Sequence, residues 1–250
     1  EAAKRVVEFL KSRGLLNPER KRSHRTTTSI AGVVRKQTGP GVWVVAEMGS
    51  KGPKAVTYEL LSAAHAVAEA KRGHVACLLT GGAEVLGFAT DLVVGGADAV
   101  YFISDEITPS YNTEAYASNL VRVIHDYQPY AVLLPSTLYG REIAGKVAAR
   151  LGLGLTGDCI GLEVDREGRL VQMKPAFGGN VVAPILSKTV PYMATIRPGL
   201  LERLEPNPTR KPVVNHLSGL ATNQSTVRRL SFHTQEAADV EGMTQAWAVV

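Results

Sequence analysis

From residue 42 onward, short runs of uninterrupted apolar residues alternate with stretches of helical periodicity, and that alternation leaves few folds open. Val42-Trp43-Val44-Val45-Ala46 carries no charged side chain, which suits a strand covered on both faces rather than one facing water. The next stretch, Ala55 to Lys71, places Leu60, Leu61, Ala64, Val67 and Ala68 on one side of a helix. The pairing then recurs. Strands are expected at His74 to Thr80, Ala99 to Ile103 and Ala131 to Pro135, and helices at Ala83 to Val94, Asn112 to Tyr127 and Gly140 to Leu151. Strand and helix at this pitch make a parallel sheet between two layers of helices, joined by right-handed crossovers. The expected fold class is α/β, a three-layer Rossmann-like domain with a mainly parallel sheet.

After residue 152 the alternation stops. Thr156 to Glu163, Arg169 to Pro175, Val181 to Ser187 and Tyr192 to Ile196 are short, are separated by turn residues and leave no length for crossover helices. They read as additional short strands or a hairpin extending the sheet. Leu204 to Pro212 holds Pro206, Pro208 and Pro212 and suits an extended connector. His216 to His233 is ambiguous, although Val227 to Phe232 suits one more strand. The closing run, Ala246 to Val250, looks like a strand getting under way; with Glu1 in place of an initiator methionine, it suggests a fragment or a partly ordered chain.

At the other end, Val6, Val7, Phe9 and Leu10 give Ala2 to Arg13 a helical spacing that Gly14 closes. Asn17 to Pro40 is polar, basic and rich in Thr, as in a linker or extended arm. The net charge of +5 is concentrated here, in Arg20, Lys21, Arg22, His24 and Arg25, followed by Arg35 and Lys36. Such a stretch suits a solvated tail or the acidic surface of a partner. It has no interleaved aromatic rings on which bases would stack, so no nucleic-acid partner is expected. No apolar run approaches the ~20 residues of a membrane helix, so no direct membrane insertion is expected. Without a recognisable signal peptide, and with Glu8 and Glu19 set against a transit peptide, the expected location is cytoplasmic. Cys77 and Cys159 lie far apart in apolar segments and read as core residues rather than a disulfide or metal pair.

Chemistry is expected where the fourth main strand ends. Ser136 and Thr137, then Gly140 and Arg141, gather hydroxyls, a helix N-terminus and a cation at the carboxyl edge of a parallel sheet, the edge where open α/β folds bind ligands. These four are candidate phosphate- or adenylate-binding residues. The alternative is that Ser136 and Thr137 cap the helix while Arg141 pairs with an acid. Gly81-Gly82 and Gly95-Gly96 match neither the three-glycine dinucleotide fingerprint nor the P-loop, and read as turns. In Pro175-Ala176-Phe177-Gly178-Gly179-Asn180 the permissive backbone would let the main chain approach another surface with Phe177 as anchor, while Arg197-Pro198-Gly199 sets a cation at a strand end. Each alone is also consistent with a turn. No histidine sits in a nucleophile or zinc motif, so neither a catalytic residue nor a metal site is expected.

Four motifs then follow in one order: Ser136-Thr137-Leu138-Tyr139-Gly140-Arg141-Glu142, Leu155-Thr156-Gly157-Asp158-Cys159, Lys174 to Asn180, and Ala194-Thr195-Ile196-Arg197-Pro198-Gly199. With the element order from Val42 to Gly199, they resemble the amino-terminal domain of the alpha subunit of electron transfer flavoproteins. The resemblance implies three segments: 1–40, an amino-terminal helix and basic arm that the simplest members lack; 41–203, the Rossmann-like domain; and 204–250, a connector and the start of an FAD-binding domain missing from this sequence. It implies pairing with a beta subunit that holds AMP or a second FAD, with Phe177, Gly178, Gly179, Asn180 and Arg197 at the subunit interface. Such a pair is an electron carrier rather than an enzyme on its own. It passes electrons through FAD from an acyl-CoA dehydrogenase of fatty acid beta-oxidation, or a similar donor, to a quinone reductase or an iron-sulfur subunit. Two alternatives stay open, a subunit of an electron-bifurcating complex oxidising NADH and a stand-alone adenine-nucleotide-binding module.

Overall fold

The computed structural model describes residues 40–49, 51–104 and 112–217, with Glu8 and Ser231 besides. Apart from Glu8, which is helical, and Ser231, which is in neither helix nor strand, the helix expected at 2–13, the basic arm up to residue 39 and the strands expected at 227–232 and 246–250 lie outside the described residues.

The apolar runs form strands. β1 (Gly41–Val45) leads through a two-residue hairpin, β2 (Met48–Gly49) and β3 (Gly52–Pro53), into helix α1 (Ala55–Lys71). α1 ends where Arg72 turns left-handed and its amide reaches back to the carbonyls of Ala68 and Glu69. β4 (His74–Gly81), a short helix α2 (Ala89–Val94), β5 (Ala99–Ser104), helix α3 (Thr113–Tyr127), β6 (Ala131–Pro135) and helix α4 (Leu138–Leu151) follow. Asn112 caps α3, its side chain accepting from the amides of Glu114 and Ala115. The helix expected at Ala83 to Val94 instead begins as a 3₁₀ segment, Ala83–Phe88, and becomes α-helical only at Ala89. Gly87, which weakens a regular helix, sits at that change.

Beyond residue 152 the expected run Thr156 to Glu163 is divided. Asp158 takes a left-handed conformation (φ 63°), and the chain splits into β7 (Leu155–Cys159) and β8 (Gly161–Val164), which belong to different sheets. β8 pairs antiparallel with β9 (Leu170–Ala176), and β9 with β10 (Val181–Leu186), making a three-stranded arm. β11 (Tyr192–Ile196) then returns to the main sheet, and β12 (Val214–Leu217) closes it at the far end.

The main sheet runs in the order β12, β5, β4, β1, β6, β11, β7, and every neighbouring pair is parallel. This is the α/β, Rossmann-like arrangement, extended by short strands after residue 152. The crossover that returns β11 beside β7 is built from the arm, not from a helix, which is why so short a stretch suffices. Period-two alternation along the strands divides the core: Val42, Val44, Cys77 and Leu79 pack with α1 and α2, while Trp43, Ala76 and Leu78 pack with α3 and α4. The Pro-rich connector is pinned to the sheet. Asn207 N–H donates to the Val94 carbonyl, and Arg210 reaches the Ala97 carbonyl and the Asp98 carboxylate. These contacts aim the chain into β12, an edge strand whose sequence shows no strong strand pattern.

Candidate functional site

β1 sits between β4 and β6; the chain builds outward to β5 on one side and then crosses back to β6 on the other. The loops after β1 and β6 therefore diverge, leaving a crevice at the carboxyl edge, the place where such sheets bind ligands. A cleft of about 330 Å³ opens there, bounded by Ala46, Glu47, Pro135, Tyr139 and Gly140.

Thr137 caps α4, accepting from the Gly140 amide at 3.1 Å, and donates its hydroxyl to Glu47 Oε2 at 2.5 Å. Lys54 Nζ donates to the other Glu47 oxygen at 2.7 Å. The Glu47 side chain is only 10% exposed. Its backbone is fixed too: Glu47 N–H donates to Thr57 Oγ1, and the Thr57 hydroxyl and the Lys54 amide reach the Glu47 carbonyl. A carboxylate thus stands at the start of α4, where the helix end favours negative charge. Gly140 is required beside it, because a Cβ there would meet the Pro135 carbonyl oxygen at 2.0 Å. Of the four residues singled out for an adenylate, the fold brings Gly140 to the wall of the cleft and Thr137 against Glu47. Arg141 is exposed on α4, and Ser136 is buried, its amide bonded to the Ile196 carbonyl. No sequence motif marks Glu47; the acid gains meaning only when β1 and β6 become neighbours.

The second constellation unites the four motifs. Arg197, at the end of β11, grips Asp158 through Nε, 3.1 Å from each carboxylate oxygen, and through its Nη2 as well. The Asp158 amide donates to Thr195 Oγ1, and Lys174 Nζ, from β9, donates to the Gly157 carbonyl at 2.6 Å. The Arg197 guanidinium holds the Asp158 carboxyl below its ordinary range, helped weakly by Lys174 and by the nearby Ser136 hydroxyl, although that hydroxyl makes no well-formed hydrogen bond. Asp158 in turn raises Arg197. Neighbouring Cys159 is inert: burial pushes its thiol up to about 12. Ser136, Asp158, Lys174 and Arg197, one from each motif, meet where the sheet edge passes into the arm.

The arm itself is unlike a core. At its tip Phe177 is 83% exposed, followed by Gly178 and Gly179 at φ 71° and 94°, conformations that glycine adopts without strain. Val181, Val182 and Leu186 are exposed along β10, which has no neighbour on its outer side among the described residues. Phe177 to Asn180 therefore sit on an apolar projection, while Arg197 lies at its base.

Among the described residues no group of acids, histidines and cysteines is arranged to hold a metal, and no helix is long and apolar enough to cross a membrane.

Residues 42–219 match the family described as Electron transfer flavoprotein domain. Electron transfer flavoprotein subunit alpha of Thermoanaerobacterium thermosaccharolyticum is 34% identical over 211 residues, covering 84% of this chain and 63% of the relative. Protein FixB of Bradyrhizobium diazoefficiens is 32% identical over 217 residues, covering 84% and 58%. Lactate dehydrogenase (NAD(+),ferredoxin) subunit LctC of Acetobacterium woodii is 37% identical over 143 residues, covering 57% and 34%. The matches thus span less than two thirds of the length of each of these relatives. The chain belongs to the electron transfer flavoprotein domain family.

Proposed function

We propose that this chain is the amino-terminal part of an electron transfer flavoprotein alpha subunit, working as the scaffold on which a beta subunit docks. Residues 41–203 form the scaffold domain, 1–40 precede it as a basic arm, and 204–250 lead toward a flavin domain. The observation that carries this reading is the meeting of Ser136, Asp158, Lys174 and Arg197 beneath an exposed apolar arm, in a chain of this family. A charged pair at the base and unpartnered apolar side chains above it suit a protein interface, with Phe177 as the aromatic anchor.

FAD is expected in the carboxyl-terminal part of the subunit. The cleft beside Glu47 is small for a whole FAD, and its carboxylate opposes a pyrophosphate, so the described cleft does not suit a flavin. When bound elsewhere in the subunit, FAD would supply the one- and two-electron chemistry. The beta subunit would hold AMP or a second FAD, with an acyl-CoA dehydrogenase as donor and a quinone reductase as acceptor. A second reading, membership of an electron-bifurcating complex, is favoured by the similarity to subunit LctC of an NAD- and ferredoxin-dependent lactate dehydrogenase.

The test is flavin content per alpha/beta pair, from the visible spectrum of the complex purified with a full-length alpha subunit. One FAD supports the simple carrier and two the bifurcating complex. A complex without flavin contradicts both.

A further inference from the structure

We propose that the cleft between the ends of β1 and β6 binds a neutral purine ribonucleoside, with Glu47 reading its ribose hydroxyls. This goes beyond the carrier reading and does not depend on a partner subunit. The volume, about 330 Å³, lies at the lower end of the range usual for small-molecule sites, and the lining mixes apolar side chains with the polar groups of Glu47, Thr80, Tyr116 and Tyr139. Val45, Leu134 and Ile143 supply apolar surface, while Tyr116 and Tyr139 bring rings from α3 and α4. A lining that combines aromatic and aliphatic side chains suits a flat heterocycle.

The polar group sets the rest of the ligand. A carboxylate has about four acceptor sites, and Thr137 and Lys54 use one on each Glu47 oxygen. The remaining capacity seeks donors, and a vicinal diol offers two side by side. Charge selects against phosphate. The Gly140 amide at the start of α4 is taken by Thr137, and Glu47 already fills the anionic position there. Lys54 is committed to Glu47, its Nζ 2.7 Å from Oε1, and Arg141 does not line the cleft. A nucleotide's phosphate would thus meet a carboxylate whose cation, Lys54, is already paired with it, whereas an uncharged nucleoside brings no charge that needs offsetting.

The test is titration of the intact chain with adenosine, AMP and 2′,3′-dideoxyadenosine, followed by calorimetry and by NMR shifts at Ala46 and Thr80. The expected result is saturable adenosine binding, AMP binding no tighter, and dideoxyadenosine binding weaker by roughly tenfold, the worth of about one net hydrogen bond. Glu47→Gln should weaken adenosine by a similar factor. Tyr139→Ala, at a half-exposed position outside the core, gives a second check if the Glu47 variant loses its fold. The proposal is overturned if adenosine fails to bind, if the dideoxy analogue binds equally well, or if neither variant changes the affinity. Flavin content of the alpha/beta pair is unaffected by these outcomes, so the two readings fail separately.

Discussion

The parallel sheet and the antiparallel arm are made of similar residues put to opposite uses. In the sheet, Val42, Val44, Leu79, Leu133 and Met193 are sealed between helices, with almost no surface left to water. In the arm, Val181, Val182 and Leu186 stand exposed and Phe177 more so. An apolar strand is therefore not by itself evidence of a core. What separates the regions is whether the chain supplies a covering layer: four helices flank the sheet, and none among the described residues flanks the outer side of β10. Exposed apolar side chains of this kind are the observation behind the docking surface proposed above.

The largest effects are expected in the sheet. Leu133→Ala removes a fully buried side chain at the centre of β6, between β1 and β11, and should cost about 2–5 kcal/mol, read as a fall in the urea midpoint at constant slope. Gly140→Ala should follow, at about 1–3 kcal/mol, because its Cβ is driven against the Pro135 carbonyl and the start of α4 must shift. The same assay reads both. If Gly140→Ala is neutral, the close approach beside the cleft is not a constraint.

At the junction of the two regions the effect is smaller and depends on pH. The Asp158 carboxyl is held low by Arg197, so the stabilisation from this pair is present above the ordinary carboxylate range, about pH 4. It is lost as pH falls through the lower, folded-state value. Between pH 5 and 8, Asp158→Asn should leave the pH dependence of Tm unchanged. In acid the wild type should lose its small advantage over the variant, no more than about 2 °C for a half-exposed pair. A growing advantage for the wild type as the pH falls below 4 would contradict the assignment.

Smallest of all is the effect of the arm on stability. Phe177→Ser and Val182→Thr should each move unfolding by less than about 0.5 kcal/mol, because the Phe177 side chain is largely in water and Val182 lies half-exposed on an outer strand. A cost comparable to Leu133→Ala would mean that the arm is part of the core.

Much of this division is legible in the sequence. Helix α3 begins where Asn112 announces a cap, and β1, β5 and β6 follow from uninterrupted apolar runs. Less legible is whatever depends on a partner far along the chain. Val214 to Leu217 becomes a strand because Asn207 and Arg210 dock the connector and present it to β5, and no local pattern encodes that. Asp158 breaks a stretch that reads as a single strand, since its left-handed turn is held by Thr195 and Arg197 from another strand. The four motifs are visible individually, yet their meeting at one edge is a product of topology. Glu47 is invisible for the same reason. It follows a strand like any other acid until β6 brings Thr137 against it.

In the proposed function the sheet is a scaffold and the arm a docking surface for a beta subunit. The most direct test is titration of this chain, and of its Phe177→Asp/Val182→Lys double variant, with the electron transfer flavoprotein beta subunit of the same organism. The account predicts that the double variant weakens binding by more than about tenfold while Tm stays within about 2 °C of wild type, as expected when an aromatic anchor is removed from an interface. Equal affinity for both chains would contradict it.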